Sequence, residues 1–282
     1  MTGFIVVNKA AGVSSAREVN VIKRLTNTPC GHMGTLDPMA TGVLPVAIGN
    51  AARLFDYFLT KRKTYKAVFK FGADSDTLDT TGEVIENAGS IPSYEQISKA
   101  LQEFVGGYYQ VPPKYSAKSI GGRRAYELAR EGADFEIPHK WVNIYSIKLL
   151  PQENAEYCGF EIECGGGTYI RAIARDLGAK LGTCAIMSSL ERTKSGIFAI
   201  ENSVKTEDLT IENIGGHIIP TEKVLPFKCI IPTVSEDKKL FNGLSVYSAE
   251  PDGIYKIKRA DGSFYGLAEV KSNNLKVRTK LC

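Results

Sequence analysis

From Thr64 to Phe71 apolar and polar residues alternate, with Tyr65, Ala67, Phe69 and Phe71 on one face and Lys66 and Lys70 on the other. That period of two is the mark of a strand with one buried face. Elsewhere the period is helical. Val19, Ile22 and Leu25 follow a predicted capping box of Ser15 with Glu18, and Ile97, Leu101 and Phe104 follow one of Ser93 with Gln96. Ile170, Ile173, Ala174, Leu177 and Leu181 form a third stripe behind a predicted Thr168 cap, with Arg171 at its edge. Pro29 is expected to stop the first helix, and a further amphipathic helix is expected through Leu54, Phe55, Phe58 and Leu59. With strands opening the chain at Gly3 to Asn8 and dominating Phe135 to Cys164, the interleaving predicts an α+β fold around a mixed sheet.

Beyond Lys228 the pattern changes to short alternating segments punctuated by Pro251-Asp252-Gly253, Asp261-Gly262 and Asn273-Asn274, which reads as a small β module. A length of 282 residues accommodates both, and the expected division is a body of residues 1–228 and a module of residues 229–282. The net charge of +4 gathers toward the end, since nine Lys/Arg face six Asp/Glu from Cys229 onward. The cysteines Cys30, Cys158, Cys164, Cys184, Cys229 and Cys282 are scattered without a C-x-x-C pair, so free thiols and no metal site are expected. No run approaches the roughly 20 apolar residues of a membrane helix, and the opening MTGFIVVNKAAG is unlike a secretory leader, which leads to the expectation of a cytoplasmic protein.

Gly31 to Gly42, GHMGTLDPMATG, is a long polar loop between two buried-looking elements, the setting of an active-site loop. Asp37 and His32 are its chemically capable residues; Asp37 next to Pro38 is, by itself, also what a plain turn uses. Two basic clusters, Lys61, Arg62, Lys63, Lys66 and Lys114, Lys118, Arg123, Arg124, carry Tyr115 and Tyr126 among them, a composition suited to phosphates and stacked bases. P-loop, H-E-x-x-H and G-x-S-x-G patterns are missing. The residues by themselves reach a cytosolic α+β enzyme, with RNA one candidate partner and a merely solubilising role for the charge runs the other.

GHMGTLDPMATGVLPVAIGNAARL, Gly31 to Leu54, resembles the catalytic motif of the TruB family of tRNA pseudouridine synthases. Three more segments are similar to that family in the same order: Lys63 to Val84, Val111 to Gly132, and Gly165 to Gly182. The resemblance implies a cofactor-free isomerisation of uridine 55 in the T arm of tRNA, with base flipping and a PUA-like C-terminal RNA-binding module. It implies that Asp37 is the catalytic aspartate, Tyr65 the tyrosine against the target base, and Arg171 the partner of Asp37. It further implies that Leu190 lines the pocket, that His32 inserts into the T loop, and that Tyr169, Lys63 and Arg124 contact substrate. NKAAGVSS departs from the family's usual D-K-P-x-G-x-T-S at Asn8, Ala10 and Ser14, and Lys118-Ser119 replaces an apolar residue followed by Lys. A monomer is expected. Open alternatives are a tRNA-folding chaperone, a guide-dependent synthase acting on ribosomal RNA, and an aspartate-based nucleosidase.

Overall fold

The computed structural model describes residues 1–86, 89–151, 154 and 156–282. A nine-stranded sheet runs in the order Gly3–Lys9, Thr41–Ile48, Ala185–Ser195, Lys63–Phe71, Tyr157–Cys164, Lys140–Leu149, Gly106–Gln110, with Cys30–His32 and Phe198–Ala199 attached beside it. Neighbours are antiparallel except where Glu191 and Arg192 lie parallel to Thr41 and Gly42. The fold is therefore α+β around a mixed sheet.

Tyr65, Ala67, Phe69 and Phe71 share the main core with Ile22, Ile97, Leu101, Ile173 and Leu177, so the helices Ser15–Thr26, Tyr94–Leu101 and Ile170–Lys180 cover this face. The first strand is buried on both sides: Ile5 and Val7 enter that core, while Phe4 and Val6 enter a second one with Phe58, Phe198 and Leu281. A strand covered on both faces reads as a continuous apolar run, which accounts for the sequences FIVV and VLPVAI.

Several local expectations are corrected. The first helix is capped by Ser14, whose side chain accepts from the Arg17 N–H, and it ends in left-handed Asn27 before Pro29 is reached. Ser15 is instead buried and Glu18 receives the Thr206 hydroxyl at 2.5 Å. Thr168 turns back to the Gly165 carbonyl, leaving Tyr169 as the N-cap residue of the third helix with no side-chain cap. The segment through Leu54 is a 3-10 helix, Gly49–Leu54, followed by the short helix Phe55–Leu59. Lys70 does point away from the main core, yet it is buried between Glu86 and Glu156. Strands in the 135–164 region begin only at Lys140. The capping box of Ser93 with Gln96 is present as expected.

A second, five-stranded sheet contains Cys229–Ile230, Gly253–Lys258, Phe264–Lys271, Asn274–Lys280 and Val246–Tyr247, paired in that order, with the helix Val234–Phe241 against it. Asn50 and Arg53 of the body donate to the carbonyls of Cys282 and Lys280 at 2.8 and 3.1 Å. Among the described residues, no helix is long and apolar enough to cross a membrane.

Gly42 sets the join between the Asp37 loop and the sheet. Its φ is +96°, and a methyl there would collide with the Arg192 carbonyl oxygen. Gly42→Ala is expected to lose about 2 kcal/mol or more of stability, measurable by urea unfolding, because left-handed strain and a backbone clash coincide.

Candidate active site

The loop bearing Asp37 is pinned on both sides of it. Ser15 donates to the Leu36 carbonyl and accepts from the Leu36 N–H, each at 2.9 Å. Fully buried Lys9 donates to Pro38 at 3.0 Å and to Ala10 and Val13 at 2.8 Å. Burial pushes Lys9 down to about 8, opposed by the charges of Glu18 and Asp37. The departures at Ala10 and Ser14 thus cost nothing visible here: Ala10 contributes only its carbonyl to Lys9, and Ser14 caps the helix as Thr would.

Asp37 meets Arg171 at two points, Oδ1 to Nη2 and Oδ2 to Nε, both 3.0 Å. This is the fork geometry that a guanidinium alone provides. Arg171, expected at the edge of its helical stripe, is buried, with 6% of its side chain exposed. Its remaining donors go to the carbonyls of Thr77 and Tyr115 at 2.9 and 3.1 Å, and Nη1 lies 3.4 Å from Oδ2 of Asp79. Asp79 is itself saturated, accepting at Oδ1 from the Thr77 hydroxyl and from the N–H and hydroxyl of Thr81. One cation is therefore clamped between two carboxylates, of which Asp79 is fully engaged and Asp37 keeps 34% of its side-chain surface open. Burial pushes the Asp37 carboxyl above its ordinary value; Arg171 pulls it down and Asp79 pushes it further up.

Arg171 owes its place to the start of its helix. Gln110, buried at the edge strand, accepts the Tyr169 N–H at 2.9 Å and donates to the Tyr169 carbonyl at 3.1 Å, so one amide grips both backbone groups of the N-cap residue. Tyr65 stands opposite Arg192 in the strand pairing, and Leu190 opposite Ala67, which puts all four on one face of the sheet. Burial drives the Tyr65 hydroxyl up to about 12, with the neighbouring Arg192 pulling it back.

Asp37, Lys63, Tyr65, Tyr169, Arg171 and Leu190 all line one cleft of about 200 Å³, together with Leu36, Leu59, Ser116, Gly167 and Arg192. His32 and Arg124 are not in its lining. His32 sits at the end of Cys30–His32 with a buried Nδ1 that has no partner, and burial holds its pKa low. Arg124 is exposed and donates to the carbonyl of Ala117, a residue of the cleft rim. Lys63, expected within an exposed basic cluster, is in fact buried in the cleft wall.

Sequence reasoning missed Asp79, Gln110, Lys9 and Arg192. Arg192 alone had a local signal, since it follows Leu190 by two residues and so shares its face. It is 1% exposed and donates to the carbonyls of Val43, Gly34 and Thr35 at 2.7, 3.0 and 3.4 Å. Among the described residues no His, Cys, Asp and Glu cluster is arranged to hold a metal ion.

Comparison with known proteins identifies the family. The family model for the TruB pseudouridylate synthase N-terminal domain matches residues 23–170, and that for the tRNA pseudouridylate synthase B C-terminal domain matches residues 171–225. A Clostridium novyi protein named tRNA pseudouridine synthase B is 37% identical over 290 residues, covering 100% of both chains. Its namesake from Clostridium tetani is 43% identical over 228 residues, which is 80% of this chain and 78% of that one. A chain in the crystal structure of a Cbf5–Nop10–Gar1 complex superposes with a TM-score of 0.72 at 24% identity, over 99% of this chain and 85% of the other, a likeness of fold. With both family models matched in sequence order and a full-length relative of this similarity, the chain belongs to the TruB family and is a pseudouridine synthase.

Proposed function

We propose that the protein isomerises uridine 55 in the T arm of tRNA to pseudouridine, acting as a cytoplasmic monomer without a cofactor. The observation that carries this reading is the two-point Asp37–Arg171 contact on the floor of a cleft walled by Tyr65 and Leu190. Relatives that match this chain along its whole length are named for tRNA. Asp37 is the group that reacts with the ribose, at C1′ as nucleophile or at C2′ as base. Arg171 holds its carboxylate ionised and aimed, and Asp79 keeps Arg171 from following Asp37 toward the substrate. Tyr65, which stays protonated at neutral pH, and Leu190 hold the uracil ring, with Tyr169 at the rim.

The target base must leave its stack to reach this cleft, at a cost on the order of a few kcal/mol. His32, held neutral, fits the gap left in the loop, and Arg124 with neighbouring cations neutralises phosphates outside. The division into a catalytic body, residues 1–228, and a PUA-like RNA-binding module, residues 229–282, belongs to the same reading. It is supported by the separate core of the second sheet, built from Leu240, Tyr255, Ile257, Val270 and Leu275.

The test is tritium release from a tRNA transcript labelled at C5 of uridine, because rejoining through C5 expels that hydrogen. Release from the wild-type transcript and none from one with cytidine at position 55 is expected. Release undiminished by that change would place the target elsewhere. Tight binding with no release would favour a folding chaperone.

A further inference from the structure

Two cations share the inner wall of the cleft without any carboxylate partner among the described residues. Lys63 and Arg192 both line it, are 4% and 1% exposed, and stand apart from the ion pairs that Arg171 makes with Asp37 and Asp79. They crowd the same glycine: a methyl on Gly34 would lie 3.6 Å from Cε of Lys63 and 3.8 Å from Nη1 of Arg192. Buried cations without counter-ions are costly, so a fold that keeps two of them adjacent invites an anion.

Arg192 is the more committed of the two, bound to three backbone carbonyls. Lys63 donates to Leu59 at 2.9 Å and Lys61 at 3.3 Å, which leaves one of its three N–H groups for the cleft. Lys63 and Tyr65 are two apart on one strand and face the same way, so the ammonium lies on the side of the sheet where the base is held. A backbone phosphate carries its charge outside the cleft, whereas Lys63 sits in the inner wall with only 4% of its surface exposed. The negative charge that arises inside is the one on uracil once it is detached.

We infer that Lys63, backed by Arg192, is a catalytic residue that stabilises the uracil anion between cleavage and rejoining; the inference rests on the isomerase reading above. The N1–C1′ bond breaks with its electron pair going to the base, while Asp37 meets the electron deficiency left on the sugar. The anion, its charge spread over N1 and the two carbonyl oxygens, is held by the ammonium as it turns. C5 then attacks C1′, the C5 proton is lost and N1 is protonated, so the charges cancel with no redox change.

Charge placed where it develops in the transition state is worth about 10²–10³ in rate per donor. Lys63→Met is therefore expected to slow single-turnover tritium release by about that factor while leaving the affinity for tRNA within about twofold. Lys63→Arg, which keeps the charge, is expected to recover most of the rate. Burial, with Arg192 next, drives Lys63 down to about 8. Neutralising it as pH rises past that value removes the stabilisation, so wild-type single-turnover rates should fall on the alkaline side and the fall should move to higher pH in Lys63→Arg. The other titratable neighbours, Cys164, held up near 11, and Lys140, are the same in every variant. Exposed Lys99→Met, on the helix Tyr94–Leu101 and outside both basic clusters, serves as a control and should change nothing in the single-turnover rate.

Thermal unfolding of each variant separates lost rate from lost fold, since Lys63 also ties the end of Phe55–Leu59. A folded Lys63→Met with the wild-type rate overturns the inference. So does a rate loss that disappears at saturating tRNA, which would make Lys63 a phosphate contact. Wild-type protein that releases no tritium would instead remove the isomerase reading beneath it.

Discussion

Replacing Asp37 by Asn is expected to lower isomerisation by on the order of 10⁴-fold or more while tRNA binding stays within about threefold, because the change removes the reacting charge and keeps the shape. Single-turnover tritium release and filter binding on the same preparation measure both. A variant turning over at a tenth of the wild-type rate would mean that the carboxylate is not the reacting group. The same carboxylate sets the acid side of the pH profile. Its pKa in the folded protein is raised by burial, so the ionised form that reacts is lost as pH falls through a value above the ordinary carboxylate one. The acid limb of the single-turnover rate should therefore lie higher than that of an exposed aspartate, and a limb at or below the ordinary value would show Arg171 outweighing burial.

Arg171 is the second position where a large effect is expected, on stability as well as rate. Arg171→Met leaves Asp37 and Asp79 facing each other inside the protein with no cation between them, and breaking a buried pair in this way costs about 3–5 kcal/mol. Arg171→Lys keeps the charge but cannot span two carboxylates and the carbonyls of Thr77 and Tyr115 at once. It should fold with a smaller loss and turn over about 10²-fold more slowly, since a two-point fork at 3.0 Å is replaced by a point charge that leaves Asp37 free to rotate. Urea unfolding and single-turnover rates check the two parts. Normal kinetics in Arg171→Lys would show that orientation through the fork contributes nothing.

Where side chains act on near neighbours in sequence, the sequence alone was enough to read them. The alternation of Tyr65, Ala67, Phe69 and Phe71 gave a strand with its buried face correctly assigned, and Ser93 with Gln96 gave a helix start. What escaped was set by partners distant in sequence. Ser15 satisfies every local criterion for a cap, yet it is claimed by Leu36, and Ser14 takes its place. Lys63 lies among Lys61, Arg62 and Lys66, a run that looks solvated throughout, and only the pairing of its strand with Tyr157–Cys164 and Ala185–Ser195 turns it inward. Asp79, in a stretch of Asp and Thr that reads as a polar turn, becomes a partner of Arg171 only when two segments far apart in sequence meet.

The candidate site shows the same division. Asp37, Tyr65, Arg171 and Leu190 were singled out because a run of residues around each resembles a known motif, and they line one cleft. Gln110 carries no such mark: its role consists of two hydrogen bonds to the backbone of Tyr169, and any sequence is silent about which backbone a glutamine will find.

The core that joins Phe4 of the first strand to Leu281 has a consequence for how the chain is made. During vectorial synthesis Phe4 emerges long before Leu281, so this cluster stays incomplete until the second sheet has been translated. The main core needs nothing beyond Ile214 and can consolidate while the ribosome is still at work. Until then the second core lacks Leu281 and the flanking Phe264 and Leu267, and nascent chains stalled before the second sheet should present that gap to holdases and proteases.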